Sequence, residues 1–179
     1  MHGVIFSELR KYVNDRLGAS AWDKLLVEAG FAGRIFLPVK TYPDADAVAL
    51  VSTAVRITGG SADALLEDFG AFIAPDLLKM YGHLLDQSWK TLDVIEHTEE
   101  TIHKVVRART PGAAPPELSC ARSSKDEVVI TYTSPRRMCA IAKGIARGLA
   151  TQYGDSVRVS ESTCMLKDDP QCRISVRTV

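Results

Sequence analysis

The sequence predicts an α+β fold, a helical N-terminal part packed with a C-terminal four-stranded antiparallel sheet and helix. Apolar residues recur near a 3.6 period through most of the first half, and short β-branched alternating segments crowd the end. A proline-rich break, "RTPGAAPPE", separates the two textures. The chain is expected to form one domain over 1–179, with 1–85 as the helical part and 86–179 as a long helix followed by the sheet part.

In "HGVIFSELRKYVNDRLG" Val4, Ile5, Leu9, Tyr12, Val13 and Leu17 share a helical stripe, and Gly18 is a stop signal. Ser20 is the expected N-cap of the next helix, "AWDKLLVEAG", with Gly30 as its terminator. "FAGRIFLPVKTYP" is irregular, and "DADAVALVSTAVRITGG" and "SADALLEDFGAFIAPDLLKMYG" give two or three further helices, their glycines and Pro75 marking joints. From Asp86, "DQSWKTLDVIEHTEETIHKVVRA" reads as one long helix. "LSCARS", "DEVVITYT", "DSVRVSEST" and "QCRISVRTV" read as strands, with a helix "PRRMCAIAKGIARGLATQYG" between the second and third. Links this short favour antiparallel pairing with the helix packed on the sheet.

Several function classes drop out. Lys+Arg and Asp+Glu number 22 each, and the basic residues are scattered, so there is no electrostatic footprint for nucleic acid. No apolar run approaches the roughly 18 residues of a membrane span, and the N-terminus has no signal-peptide h-region. A cytoplasmic protein is expected, whose four cysteines serve as thiols or metal ligands rather than as a disulfide framework. No nucleophile stands at useful spacing from a base, and there is no phosphate-binding glycine loop or pair of acids in an apolar context, so no enzyme is expected.

Helix geometry separates two of the histidines. At about 100° per residue His103 lies about 20° from Leu92 and about 60° from Val106, whereas His97 lies about 140° from Leu92. His103 should face inward and His97 outward. An inward histidine is either a core residue with backbone partners or a ligand to a metal or haem. One histidine without a second ligand within a turn makes a poor zinc site but suffices for a haem, whose four equatorial ligands come from the porphyrin.

A haem also presents two carboxylates, and the stretch "VVITYTSPRRMCAIAKG" contains a receptor for them. In strand register Tyr132, Ser134 and Arg136 fall on one side, and Ser134 with Pro135 reads as the N-cap and first position of a helix. Two hydroxyls and a guanidinium beside a helix N-terminus suit a carboxylate or phosphate. A capped helix start with solvated arginines is the alternative.

Taken together, "HGVIF", His103 in a long helix, "PGAAPPEL" and Tyr132-x-Ser134-x-Arg136 resemble the haem nitric oxide/oxygen binding (H-NOX) domain, related to the haem domain of soluble guanylate cyclase. The likeness spans essentially the whole chain and is nearest to stand-alone bacterial nitric oxide sensors. It implies a b-type haem between the two parts, with His103 as proximal ligand, Tyr132, Ser134 and Arg136 on the propionates, and Pro115 pressing on the porphyrin. Ile141 stands where oxygen-binding members carry a distal tyrosine, with Ile145 one turn on and Ile5 facing from the first helix. Bound dioxygen gains from a hydrogen-bond donor far more than nitric oxide does. The resemblance therefore implies binding of nitric oxide and carbon monoxide without a stable dioxygen complex. It further implies that nitric oxide breaks the Fe–His103 link, and that the resulting change regulates a separate signalling protein, such as a histidine kinase or a cyclic-di-GMP enzyme. The alternatives are a haem-free carboxylate-binding module and a thiol/zinc redox sensor.

That last alternative rests on Cys139, Cys164 and Cys172. The latter two bracket "MLKDDPQ", a hairpin turn that would let them face each other, with Cys139 close by. Members resembling "SPRRMC" and "STCM" have zinc or redox-active cysteines here, with histidine as fourth zinc ligand where this chain has Glu161. Three readings stay open: zinc with Glu161 or water completing the site, a thiol/disulfide sensor, and buried cysteines that only pack. Cys120 has no assigned role.

Overall fold

The computed structural model describes residues 1–179. Four helices, α1 (Gly3–Leu17), α2 (Ala21–Glu28), α3 (Asp44–Thr58) and α4 (Ala62–Tyr81), form the N-terminal part. After a turn come α5 (Thr91–Thr98), a π-helical turn (Glu99–His103) and α6 (Lys104–Arg109). The strands are β1 (Glu117–Ser124), β2 (Glu127–Thr133), β3 (Val157–Thr163) and β4 (Cys172–Thr178), with α7 (Cys139–Tyr153) between β2 and β3. The sheet runs β1-β2-β4-β3 with every neighbouring pair antiparallel. The expected α+β architecture is thus the one observed.

Two cores flank the interior. Val128, Ile130, Ile174 and Val176 from the sheet pack with Leu92, Ile95 and Leu149. Phe6, Trp22, Leu50, Phe69 and Ile73 fill the helical part, and Ile145 touches both clusters. The alternation in β2 puts Val128, Ile130 and Tyr132 on the buried face, opposite Arg122, Cys120 and Leu118 of β1. The long α4 and α7 cross so closely that a Cβ at Gly144 would lie 1.9 Å from the Glu67 carbonyl oxygen, and one at Gly70 would lie 2.3 Å from the Ile141 carbonyl oxygen. Glycine at this crossing brings Ile141 and Ile145 up against α4.

Local expectations fail at four places, each for a visible reason. Ser20 makes no capping bond; the Trp22 N–H is taken by Asn14 Oδ1 at 3.0 Å from the end of α1, which does the same job from another helix. Pro75 lies inside α4 without ending it, because the close packing of Gly148 against Ala71 and Ala74 holds the helix through the missing hydrogen bond. The long helix starts at Thr91 rather than Asp86 and is interrupted by the π-helical turn ending at His103, which composition does not signal. Most consequentially, α7 begins at Cys139 and not at Pro135. Ser134 to Arg137 form a turn, closed by the Arg137 N–H on the Ser134 carbonyl at 3.1 Å, with Arg137 at φ 51°.

Candidate functional site

Between the two cores lies a cavity of about 250 Å³, walled by side chains from α1, α4, α5, the π-helical turn, α6, the 113–116 segment, β1, β2 and α7. Its lining is overwhelmingly apolar, with Ile5, Ile73, Ile141 and Ile145 prominent among the walls. His103 enters at the end of the π-helical turn, largely buried. Its Nδ1 lies 2.9 Å from Glu99 Oε2, so Nε2 is the nitrogen on offer to a ligand. Burial holds the imidazole below its usual pKa against the upward pull of Glu99, which keeps it neutral, the form that binds metals. Burial would raise the Glu99 carboxyl, but hydrogen bonds from His103, Arg107 and the Leu118 N–H outweigh it and keep the group ionised.

The polar end of the cavity carries Tyr132 and Arg136. Burial raises the Tyr132 phenol, so it stays a donor at neutral pH. The Arg136 guanidinium is only 8% exposed and meets the Asp44 carboxylate at 3.2 Å. Asp44 also receives the Met1 amine at 2.7 Å, and these two cations hold its carboxyl below the usual range despite burial. Ser134 is buried but is not part of the lining; its Oγ accepts the Arg136 N–H at 3.3 Å and lies within reach of the Tyr132 hydroxyl. Pro115 and Pro116 form part of the wall.

A second constellation sits at the foot of α7. Sγ of Cys139, Cys164 and Cys172 and a carboxylate oxygen of Glu161 lie within 4.8 Å of one another, and the three cysteines are buried. Cys139 and Cys164 sulfurs are 3.8 Å apart. Glu161 Oε2 pairs with Lys143 Nζ at 3.3 Å, while its Oε1 is buried without a partner. Burial pushes both the Cys139 and the Cys172 thiols up.

The Haem-NO-binding family model matches residues 2–161. The chain belongs to that Haem-NO-binding family. Among solved structures, an H-NOX protein from S. oneidensis in the Fe(II)NO ligation state superposes with a TM-score of 0.92 at 22% identity, covering 100% of this chain and 99% of that one. An Fe(II) unliganded H-NOX protein from K. algicida gives 0.87 at 20% identity, with 100% and 97% covered. These likenesses establish the fold. Among curated proteins, a soluble guanylate cyclase of Caenorhabditis elegans, gcy-31, is 22% identical over 138 residues, 76% of this chain. The chain spans only about a fifth of that relative's length (20%). Haem-NO-binding domains are haem-based gas-sensing modules rather than enzymes in themselves. No helix here is long and apolar enough to cross a membrane.

Within this Haem-NO-binding chain the cavity gathers His103, Tyr132, Arg136, Pro115, Ile5, Ile141 and Ile145; Ser134 supports it from behind. His97 leaves the cavity wall and stacks on Trp89 at 4.6 Å. Of the tyrosines away from the distal position, Tyr12, Tyr42 and Tyr153 stay out of the cavity, whereas Tyr81 joins its wall. It stands eleven residues, about 16 Å, along α4 from Gly70, where Ile141 crosses. Sequence reasoning missed Glu99, Asp44 and Lys143. Glu99 was legible in principle, one helical turn before His103; Asp44, 92 residues from Arg136, was not.

Proposed function

We propose that this chain is a nitric oxide sensor that holds a b-type haem in the 250 Å³ cavity, with His103 as the proximal ligand. The observation that carries the reading is His103 itself: a neutral imidazole in an apolar cavity, fixed through Nδ1 by an ionised carboxylate, as metal-ligating histidines characteristically are. The residues present fit the group. Tyr132 and Arg136 would meet its propionates, with Arg136 exchanging part of its bond to Asp44, and Pro115 would press on its face. When bound, the haem would supply an iron able to take a diatomic gas such as nitric oxide or carbon monoxide, with His103 as the residue that would hold it.

The chain's own residues supply the rest. Ile5, Ile141 and Ile145 exclude water and offer no donor, so dioxygen gains nothing there, while nitric oxide needs nothing. Glu99 binds His103 and, with the same Oε2, the Leu118 N–H at the start of β1 at 3.1 Å. Movement of His103 is therefore transmitted through one carboxylate to the sheet, and the π-helical turn, a rare and wider form of helix, can tighten toward α-helix as it moves. A two-state shift of this kind is what a separate signalling protein, such as a histidine kinase or cyclic-di-GMP enzyme, would read. The test is an absorbance titration. A ferrous Soret band that shifts with nitric oxide, and no stable oxy complex in air, is the expected result. Absence of a Soret band in protein from haem-replete cells would overturn the reading.

A second site is favoured by the cysteine cluster. Ligands on a tetrahedral zinc with thiolate bonds of about 2.3 Å stand roughly 3.8 Å apart, the spacing of Cys139 and Cys164. The partnerless Glu161 Oε1 offers the fourth donor. Cys139, Cys164, Cys172 and Glu161 would thus hold a structural zinc that clamps α7 to the β3–β4 hairpin. One zinc per chain in protein prepared without added metal is expected; metal-free protein with every thiol titratable would remove the site.

A further inference from the structure

The sheet has one covered face and one open face. Helical residues such as Leu92, Ile95 and Leu149 pack on the side that carries Val128, Ile130, Ile174 and Val176. On the other side Ser119, Ala121, Arg158, Ser160, Arg173 and Arg177 are exposed. Strand register sets this open face in rows: Glu127, Arg177 and Arg158 in one; Ala121, Val129, Ser175 and Ser160 in the next; Ser119, Thr131 and Arg173 in the third. Most of these side chains are short, so three guanidinium groups stand clear of a flat surface.

The fold itself does not call for these arginines. Arg158 stands directly opposite Arg177, and like charges placed so across a strand pair destabilise the sheet. Arg177 has one loose partner, Glu127 at 3.6 Å, whose carboxylate already accepts from Ser123 and Ser175. Arg158 and Arg173 form no ion pair. A charge on an edge strand guards against unwanted strand addition, which accounts for Arg158 on β3. That reason does not extend to Arg173 and Arg177, because β4 lies inside the sheet with β2 and β3 on either side.

We infer that this open face docks an extended acidic segment of a partner protein, lying along β4 with its carboxylates on Arg173, Arg177 and Arg158. Charge complementarity selects the sign of the partner. Spacing selects its form: Arg173 and Arg177 are four strand residues apart, about 13 Å, which matches carboxylates four residues apart on an extended chain, whereas on a helix the same separation advances only about 6 Å. The docking face is also the back of the haem-cavity wall, since Leu118, Ile130 and Tyr132 line that cavity and alternate along β1 and β2 with Ser119, Val129 and Thr131. Resting on the nitric oxide reading above, a displacement passed through Glu99 to β1 reaches a partner seated here without crossing the protein.

The probe is a fluorescein-labelled peptide alternating glutamate with threonine, titrated with the full haem-loaded chain and followed by anisotropy. It should bind the wild type, bind more weakly as salt shortens the Debye length below about 10 Å, and lose about tenfold or more in affinity in the Arg158→Ser, Arg173→Ser, Arg177→Ser triple variant, whose Soret band should stay as in the wild type. The same peptide with glutamine for glutamate should not bind. Should the triple variant fail to fold, Arg173→Ser alone, which leaves the Arg158 and Arg177 pair in place, must weaken binding; no weakening overturns the inference. Arg158→Thr should keep or raise the urea midpoint, and a clear fall would return that arginine to the fold. No binding to the wild type, or equal binding to the folded triple variant, overturns the docking face; tighter binding of a single-stranded oligonucleotide of equal charge overturns the protein partner in favour of nucleic acid. Affinity should differ about fivefold or more between ferrous and nitric oxide-treated protein. Equal affinity with binding intact overturns the link to sensing alone, and a wild type without a Soret band overturns the nitric oxide reading while the peptide result still decides the docking face.

Discussion

Replacing Glu99 tests how the chain holds its proximal histidine. Glu99 accepts from His103 Nδ1 at 2.9 Å and from the Leu118 N–H at 3.1 Å, and pairs with Arg107. A hydrogen bond to a charged group contributes about 1.5–3 kcal/mol, which corresponds to roughly a 10- to 100-fold change in affinity for whatever His103 ligates. Glu99→Ala removes that bond and leaves the Leu118 N–H without its acceptor, which should also cost about 1–3 kcal/mol of stability. Glu99→Gln separates the two effects. Its amide oxygen can still accept from the backbone N–H, so thermal stability should stay near wild type, while the lost charge makes the imidazole a weaker base. Haem transfer to excess apomyoglobin reads the outcome. Loss should be about tenfold faster in Glu99→Gln and approach a hundredfold in Glu99→Ala. Wild-type haem retention in both variants would refute the claim that this carboxylate orients and strengthens the ligand.

Ile141→Tyr should place a hydroxyl in the isoleucine wall and slow dioxygen dissociation about 10- to 100-fold, from a bond of about 1.5–3 kcal/mol; the check is a stable oxy spectrum in air where the wild type shows none. Tyr81→Phe keeps the ring on the cavity wall and removes only its hydroxyl; it should leave the response to dioxygen as in the wild type, since the proposed discrimination rests on Ile5, Ile141 and Ile145. Gly144→Ala forces a methyl to 1.9 Å from the Glu67 carbonyl and should cost at least about 1–3 kcal/mol, seen as a lower midpoint in urea. Glu8, 4% exposed, has Oε2 buried without a partner; burial is the main cause that raises its carboxyl above the ordinary 4.5. The native state then holds a proton that the unfolded chain releases. The contribution is complete below pH 4.5 and is lost as pH rises through the folded value. Asp76, bridged to Glu8 by Lys11 and held below 3.8, contributes in the opposite sense, losing its share as pH falls through its folded value. Denaturation curves should therefore show wild type losing stability above pH 4.5 relative to Glu8→Gln; parallel curves would refute the assignment.

The parts of this protein that could be read from its sequence are those whose physics is local. A 3.6 period and a period of 2 locate α1, α4, α7 and all four strands, because each element must bury one stripe or one face. His103 is legible for the same reason, standing on the apolar side of its helix. Tyr132, likewise, is placed by strand alternation alone. The register argument stops there. Arg136 reaches the cavity through a turn with a left-handed Arg137 rather than by continuing the strand, so it lines the wall by a route that alternation does not describe. Ser134 follows the strand into the interior and serves by holding Arg136 instead of by facing the cavity.

What stays hidden is long-range. Nothing near Arg136 announces that Asp44 neutralises it, yet that pairing explains how an arginine only 8% exposed is tolerated in this wall. The Met1 amine on the same carboxylate ties the start of α1, and with it Ile5, to the arginine that would grip a propionate. A change in what Arg136 binds must alter the charge balance at Asp44, and so the hold on Met1, just ahead of α1. The chain therefore has two single-carboxylate couplings from one cavity, Glu99 to the sheet and Asp44 to the first helix. Their independence is testable: if they act separately, the stability losses in Glu99→Ala and Asp44→Asn should add within about 0.5 kcal/mol in the double variant. A larger coupling energy would show that the two ends of the cavity respond as one.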